Sequence, residues 1–205
     1  MGGSVSSFVK SAFDRIVAAL ALLLLLPILI LIAIAIKITM PGPVFFRQVR
    51  VGRGGHEFQV LKFRTMVVGA EKIGLGLLIE KDDKRIPPLG LFLRRWSLDE
   101  LPQIWNVLKG DMSLVGPRPT VSSQVAQYTE RQRRRLECLP GVTGWAQVNG
   151  RNELSWPERI ELDIWYIDHW SPLLDLKILL RTPRLLLKGE NVYASDLSKF
   201  EIGKK

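Results

Sequence analysis

The chain is short of the residues that build metal and disulfide sites. Among 205 residues there is one cysteine, Cys138, and there are two histidines, His56 and His169. A single thiol excludes a disulfide framework within the chain. So few soft ligands exclude a zinc centre of His and Cys. Acidic residues are in deficit too, with 20 Asp and Glu against 29 Lys and Arg, a net charge of +9. Internal repeats and long linkers are absent, so the chain reads as one unit. A hydrophobic content of 47% excludes a disordered chain. The excess of cations requires an anionic partner: nucleic acid, a lipid surface or a phosphorylated substrate.

The apolar residues narrow that choice. Residues 16–36 carry no polar or charged side chain, and Arg15 and Lys37 bracket them. As a helix this run measures about 31 Å, close to the roughly 30 Å hydrocarbon core of a bilayer. It is longer than a signal-peptide core, although Ala33-Ile34-Ala35 resembles a cleavage site. Pro27 sits near its centre, removes a backbone donor and bends the helix. Two geometries are open. A kinked helix spans the bilayer, or the helix enters, breaks at Pro27 and returns to the same face. Lys10 and Arg15 before the run and Lys37 after it give little asymmetry to orient it. Length alone favours spanning.

Pro41-Gly42-Pro43 ends this segment. Residues 44–51 and 57–66 then read as strands about a turn at Gly52-Arg53-Gly54-Gly55, a β-hairpin. Its cations Arg47, Arg50 and Arg53 read as a solvated face beside anionic lipid. From Leu89 the apolar spacing is helical as far as Trp96, and it resumes at Leu101. Between them Ser97-Leu98-Asp99-Glu100 matches a capping box, so the second helix is predicted to start there. A carboxylate in a first helical turn is expected to stay ionised. Two adjacent acids can also hold a divalent ion, or merely cap the helix. In Gly116-Pro117-Arg118-Pro119 two prolines stiffen an arginine suited to gripping phosphate. The run 131–135 reads as a solvated or lipid-facing helix side. Trp156, Trp165, Tyr166 and Trp170 suit either a membrane interface or a core. Residues 175–188 read as an amphipathic helix on lipid, interrupted near Pro183.

Four motifs in order carry a resemblance. They are Lys62-Phe63-Arg64-Thr65-Met66, Asp99-Glu100-Leu101-Pro102-Gln103, Gly116-Pro117-Arg118-Pro119, and Pro140-Gly141-Val142-Thr143-Gly144-Trp145 through Asn149-Gly150-Arg151. Behind an apolar helix broken by proline, they resemble the bacterial monotopic phosphoglycosyl transferases, the polyprenyl-phosphate sugar phosphotransferases. The resemblance covers residues 13–187 and looks like the minimal catalytic core of that family.

The resemblance implies an α+β, mainly helical fold. It implies a re-entrant membrane helix over 1–40 with its break at Pro27, a catalytic domain over 41–190 with a small hairpin and amphipathic interfacial helices, and a tail over 191–205. Leu26 stands where many members place a serine before the proline. The implied activity moves a sugar-1-phosphate from a UDP-sugar to polyprenyl phosphate and releases UMP. Asp99 would attack the sugar-bearing phosphate and form a covalent intermediate. Glu100 would assist, and Mg²⁺ would sit at Asp99 and Glu100. Arg118 and Arg151 would grip phosphate oxygens, Lys62 and Arg64 would help build the site, and Asp163 is a further acidic candidate. The implied setting is the cytoplasmic face of a bacterial inner membrane, with anionic lipids as partners and no nucleic acid. Two rivals differ in class. A glycosyl transferase would release UDP instead, and a non-catalytic basic protein would bind anionic lipid or nucleic acid without turnover.

Overall fold

The computed structural model describes residues 4–73, 83–150 and 153–188. It is mainly helical, with two small two-stranded sheets among the described residues. Helix α1 covers Ser4–Thr39, and its helical backbone continues through Pro27. Proline there deletes one hydrogen bond, while those on either side carry the helix on. By length and composition α1 is able to cross a membrane over Ser7–Thr39. Leu23, Leu24 and Leu31 on it are 70%, 79% and 66% exposed, an apolar surface suited to lipid.

The opposite stripe of α1 packs on the rest of the protein at two levels. Ala18 joins Val60, Ile104, Val107 and Met112, and Ile32, Ile36 and Met40 join Phe63 and Leu93. Polar contacts fix both ends. Buried Asp14 accepts a hydrogen bond from Ser113 Oγ at 2.6 Å. At the other end the Arg64 guanidinium donates to the carbonyls of Met40 and Pro43.

The predicted hairpin is present. Strands β1 (Phe45–Val51) and β2 (Glu57–Phe63) pair antiparallel, with Phe45 opposite Phe63 and Val51 opposite Glu57. β2 stops three residues short of the predicted Met66 because helix α2 (Pro88–Arg95) crosses there. A Cβ on Gly90 would lie 2.1 Å from the Thr65 carbonyl oxygen, so only glycine permits this crossing.

The predicted capping box at Ser97 does not form. Ser97 adopts φ 53, ψ 24, and its side chain makes no cap hydrogen bond. It is the one non-glycine residue of positive φ among those described. A left-handed turn here lets the chain reverse between α2 and α3, so Leu98–Glu100 forms a 3₁₀ turn and α3 begins only at Gln103 (Gln103–Lys109). Asn106 ties α3 to β2, donating to the Gln59 carbonyl at 2.7 Å and accepting from the Leu61 amide at 3.0 Å. The acidic turn is thereby held over the strand that carries Lys62.

Strands β3 (Ser113–Val115) and β4 (Gly141–Thr143) pair parallel. They are separated by the short helices α4 (Ser122–Val125) and α5 (Glu130–Arg133). A Cβ on Gly141 would meet the Gly116 nitrogen at 2.1 Å, and one on Gly144 the Gly116 oxygen at 2.2 Å. Two motifs distant in sequence thus meet backbone to backbone.

Helices α6 (Trp145–Val148), α7 (Trp156–Asp168) and α8 (Pro172–Lys188) complete the fold. Trp156 and Tyr166 are core residues, whereas Trp165 is 39% exposed and stacks on Trp145. α8 runs through Pro183 without the expected interruption, since one missing donor in seventeen residues leaves the flanking bonds intact. Its Ile178 is buried, and Leu173, Leu176 and Leu180 share an exposed face. Lys177 and Arg181 lie over the Trp145 ring. The tail predicted over 191–205 and the candidate Arg151 lie outside the described residues.

Candidate active site

A cavity of about 470 Å³ opens between the hairpin, the acidic turn, the Arg118 turn and α7. Seven cationic side chains line it, namely Arg50, Lys62, Arg64, Arg94, Arg118, Arg135 and Arg159, against the carboxylates of Glu71, Asp99, Glu100 and Asp163. Five of the sequence candidates, Lys62, Arg64, Asp99, Glu100 and Arg118, meet here, and Asp163 joins them.

The two adjacent acids have different surroundings. Glu100 is clamped. Lys62 Nζ reaches its Oε1 at 2.7 Å, and Arg118 forks onto both oxygens, Nη1 to Oε2 at 3.1 Å and Nη2 to Oε1 at 2.5 Å. Burial pushes the Glu100 carboxyl up, but Arg118 and Lys62 outweigh it and hold the group well below the usual carboxylate range. Asp99, only 8% exposed, accepts no hydrogen bond from the described residues. Burial pushes its carboxyl up to about 6, and the Glu100 charge adds to this against Lys62, Arg94 and Arg118. A helix-start carboxylate kept fully ionised was the expectation. Burial weakens it without overturning it, because a carboxyl at about 6 still loses its proton below neutral pH.

The basic candidates divide by role. Lys62 and Arg118 hold Glu100. Arg64 lines the cavity, but it also closes the end of α1 through Met40 and Pro43. Asp163 is 1% exposed and sits 2.6 Å from Arg135 Nε. Arg135 also donates to Tyr128 Oη at 2.7 Å and to the Arg118 carbonyl at 2.8 Å. Asp163 therefore acts on the site through Arg135, which fixes the backbone of Arg118.

Several members of the site escape a reading of the sequence. Arg135 belongs to the run expected on a solvated face, and Arg131 and Arg134 do pair with Glu161 and Asp168 at the surface. Arg135 instead turns inward, three residues before buried Cys138, a helical spacing that marks it. Arg50, expected beside lipid, points into the cavity. Burial and Arg118 push its guanidinium down to about 10. Arg159 goes to about 10 through burial, Arg118 and Arg135. Arg94 Nε donates to Thr65 Oγ1 at 2.7 Å. Crowded guanidinium groups, with Arg118 acting on Arg50 and both Arg118 and Arg135 acting on Arg159, create a strongly positive pocket, one that an anionic ligand would relieve.

The region 5–189 matches the family described as bacterial sugar transferase. The chain belongs to the bacterial sugar transferase family. Sugar transferase EpsL of Bacillus subtilis is 51% identical over 154 residues, 75% of each chain. The undecaprenyl-phosphate galactose phosphotransferase of Salmonella typhimurium is 38% identical over 202 residues, 92% of this chain and 42% of that protein. The UDP-glucose:undecaprenyl-phosphate glucose-1-phosphate transferase of Caulobacter vibrioides is 45% identical over 193 residues, 90% of this chain and 72% of that one. This is the family that the four motifs resemble, and residues of all four line the cavity.

No group of three or more His, Cys, Asp or Glu side chains that could hold a metal occurs among the described residues. A magnesium ion needs less, because it is commonly held by one or two carboxylates and the substrate's own phosphates. Within this bacterial sugar transferase site, the adjacent Asp99 and Glu100 fit that mode, Asp99 without a hydrogen bond from the described residues on its carboxylate and Glu100 with Lys62 and Arg118 already on its oxygens.

Proposed function

We propose that the protein transfers a sugar-1-phosphate from a UDP-sugar to undecaprenyl or another polyprenyl phosphate and releases UMP. One observation carries this reading. Of the buried Asp99 and Asp163 and the half-buried Glu100 on the cavity, Asp163 and Glu100 are held in ion pairs, and only Asp99 is open to react. Asp99 Oδ attacks the sugar-bearing phosphorus, the new O–P bond forms, and the bond to the bridging oxygen breaks to release UMP. An oxygen of the lipid phosphate then attacks the same phosphorus and frees the Asp99 carboxylate. One phosphoanhydride is exchanged for another, so catalysis rests on position and charge. Arg118, Arg94 and Arg159, which line the cavity, would bind phosphate oxygens. Asp99 would hold Mg²⁺ together with the donor's phosphates, and the ion would neutralise diphosphate charge.

Turnover of a panel of UDP-sugars with polyprenyl phosphate, scored for the nucleotide product, tests this reading. UMP is expected, with activity lost in EDTA and restored by Mg²⁺. Release of UDP would make the protein a glycosyl transferase, and full activity in chelator would remove the ion.

The site is expected at headgroup depth on the cytoplasmic face, beside anionic lipids, with the leucine face of α8 on the lipid. The docking of α1 supports a re-entrant placement. Asp14 and Met40, near opposite ends of α1, are both fixed to one body. A spanning helix would carry one end away from that body. Single cysteines at Ser11→Cys and Lys37→Cys are expected to react with an impermeant maleimide from one side only. Native Cys138 stays silent because it is buried and its thiol is pushed up to about 12 by burial. Labelling from opposite sides would establish a spanning helix.

A further inference from the structure

The cavity holds two polar groups that the phosphate chemistry leaves unused. The Gln147 amide and the Trp156 indole nitrogen are buried, and none of their three polar atoms finds a hydrogen-bond partner among the described residues. Gln147 is 9% and Trp156 8% exposed, and both line the cavity. Buried polar atoms without partners are costly and persist where a ligand completes them. The surroundings are built rather than loose. The Arg135 guanidinium lies 5.2 Å and that of Arg159 5.7 Å from the Trp156 ring centroid, so cations hold the ring. Gln147 sits in α6, directly after the glycine junction. A Cβ on Gly144 would come within 2.6 Å of Gln147 Oε1, so the missing side chain leaves room for the amide.

We propose that Gln147 and Trp156 Nε1 form a recognition subsite for the uncharged part of the nucleotide sugar, a group that offers hydrogen-bond acceptors beside a donor. The inference rests on the transferase reading above. An amide supplies two N–H donors and one carbonyl acceptor, and the indole supplies one more donor. That set is neutral, so it does not compete for phosphates, which the neighbouring guanidinium groups take. It matches a uracil edge, where N–H stands between two carbonyls, and equally a pair of sugar hydroxyls. Arg135 links the subsite to the reacting centre, since it packs on Trp156 and donates to the Arg118 carbonyl. Filling the subsite therefore places the donor relative to Asp99.

Gln147→Met removes the polar atoms and keeps the bulk, and Trp156→Phe removes the indole N–H and keeps an aromatic face. With the full chain in lipid nanodiscs, two quantities are measured: the dissociation constant of UMP, and kcat/KM for UDP-glucose and UDP-galactose with polyprenyl phosphate. A loss of about tenfold or more is expected in at least one of them. Weaker UMP binding assigns the edge to the nucleobase. Unchanged UMP binding with lowered kcat/KM and a shifted preference between the two sugars assigns it to the sugar. Should Trp156→Phe fail to fold, Gln147→Met alone carries the test. UMP affinity and kcat/KM for both sugars all within twofold of the wild type would overturn the subsite while leaving the wild-type turnover intact. If the wild type releases no UMP, the transferase reading falls and UMP affinity still judges the subsite.

Discussion

Asp99→Asn is expected to abolish turnover, with a loss of at least about 10³-fold, because the amide cannot form the covalent bond and no neighbouring group replaces it. Glu100 is next in sequence, but its oxygens are bound by Lys62 and Arg118, so it is no substitute nucleophile. The same change should make the protein more stable. The Asp99 carboxyl is pushed up to about 6 when folded, above its ordinary unfolded value. The folded state therefore holds the proton more tightly, and stability falls as pH rises through the interval from about 4 to 6. At pH 7 the asparagine avoids that penalty, a gain of about 1–3 kcal/mol. Thermal melts at pH 7 and pH 4.5 check it, since the difference between variant and wild type should shrink at the lower pH. The wild-type rate should rise with pH along a limb near 6, as Asp99 loses its proton. An active Asp99→Asn variant would remove the covalent route.

The second large effect concerns Asp163. Asp163→Ala leaves the Arg135 guanidinium buried without its countercharge, at a cost of about 3–5 kcal/mol, or on the order of 10 °C in Tm for a chain of this size. Replacing both partners, Asp163→Leu with Arg135→Met, should restore most of the stability, because a buried pair exchanged for apolar groups is often neutral. Activity should not return with it. Arg135 also donates to the Arg118 carbonyl, and no methionine supplies that bond. Melting and kcat/KM measured on both variants separate the two roles. Recovery of activity together with stability would reduce the pair to packing.

The elements with a local signature were legible in the sequence. The hairpin follows from its alternating strands around Gly52-Arg53-Gly54-Gly55, and α2 follows from the spacing of Leu89, Phe92 and Leu93 behind Pro88. The conformation of Ser97 was not legible, because a serine three residues before a glutamate reads as a cap unless the chain must reverse. That reversal is imposed by the crossing of α2 over Thr65, a contact between segments far apart in sequence. The burial of Arg135 was hidden for the same reason: its countercharge, Asp163, comes 28 residues later on another helix. Arg50 reads as a surface cation until the Arg118 turn closes over it. Gln147 and Trp156 carry no charge and no metal-ligand spacing, so only three-dimensional placement reveals them.

Arg64 gives the fold a further property. Its backbone amide bonds the Val44 carbonyl, its guanidinium closes the last turn of the apolar helix, and its side chain forms part of the cavity wall. Anchor and reaction vessel thus share one part. Cutting away the greasy segment to obtain a freely soluble enzyme would not spare the chemistry, since the truncation would also dismantle one side of the chamber in which it takes place.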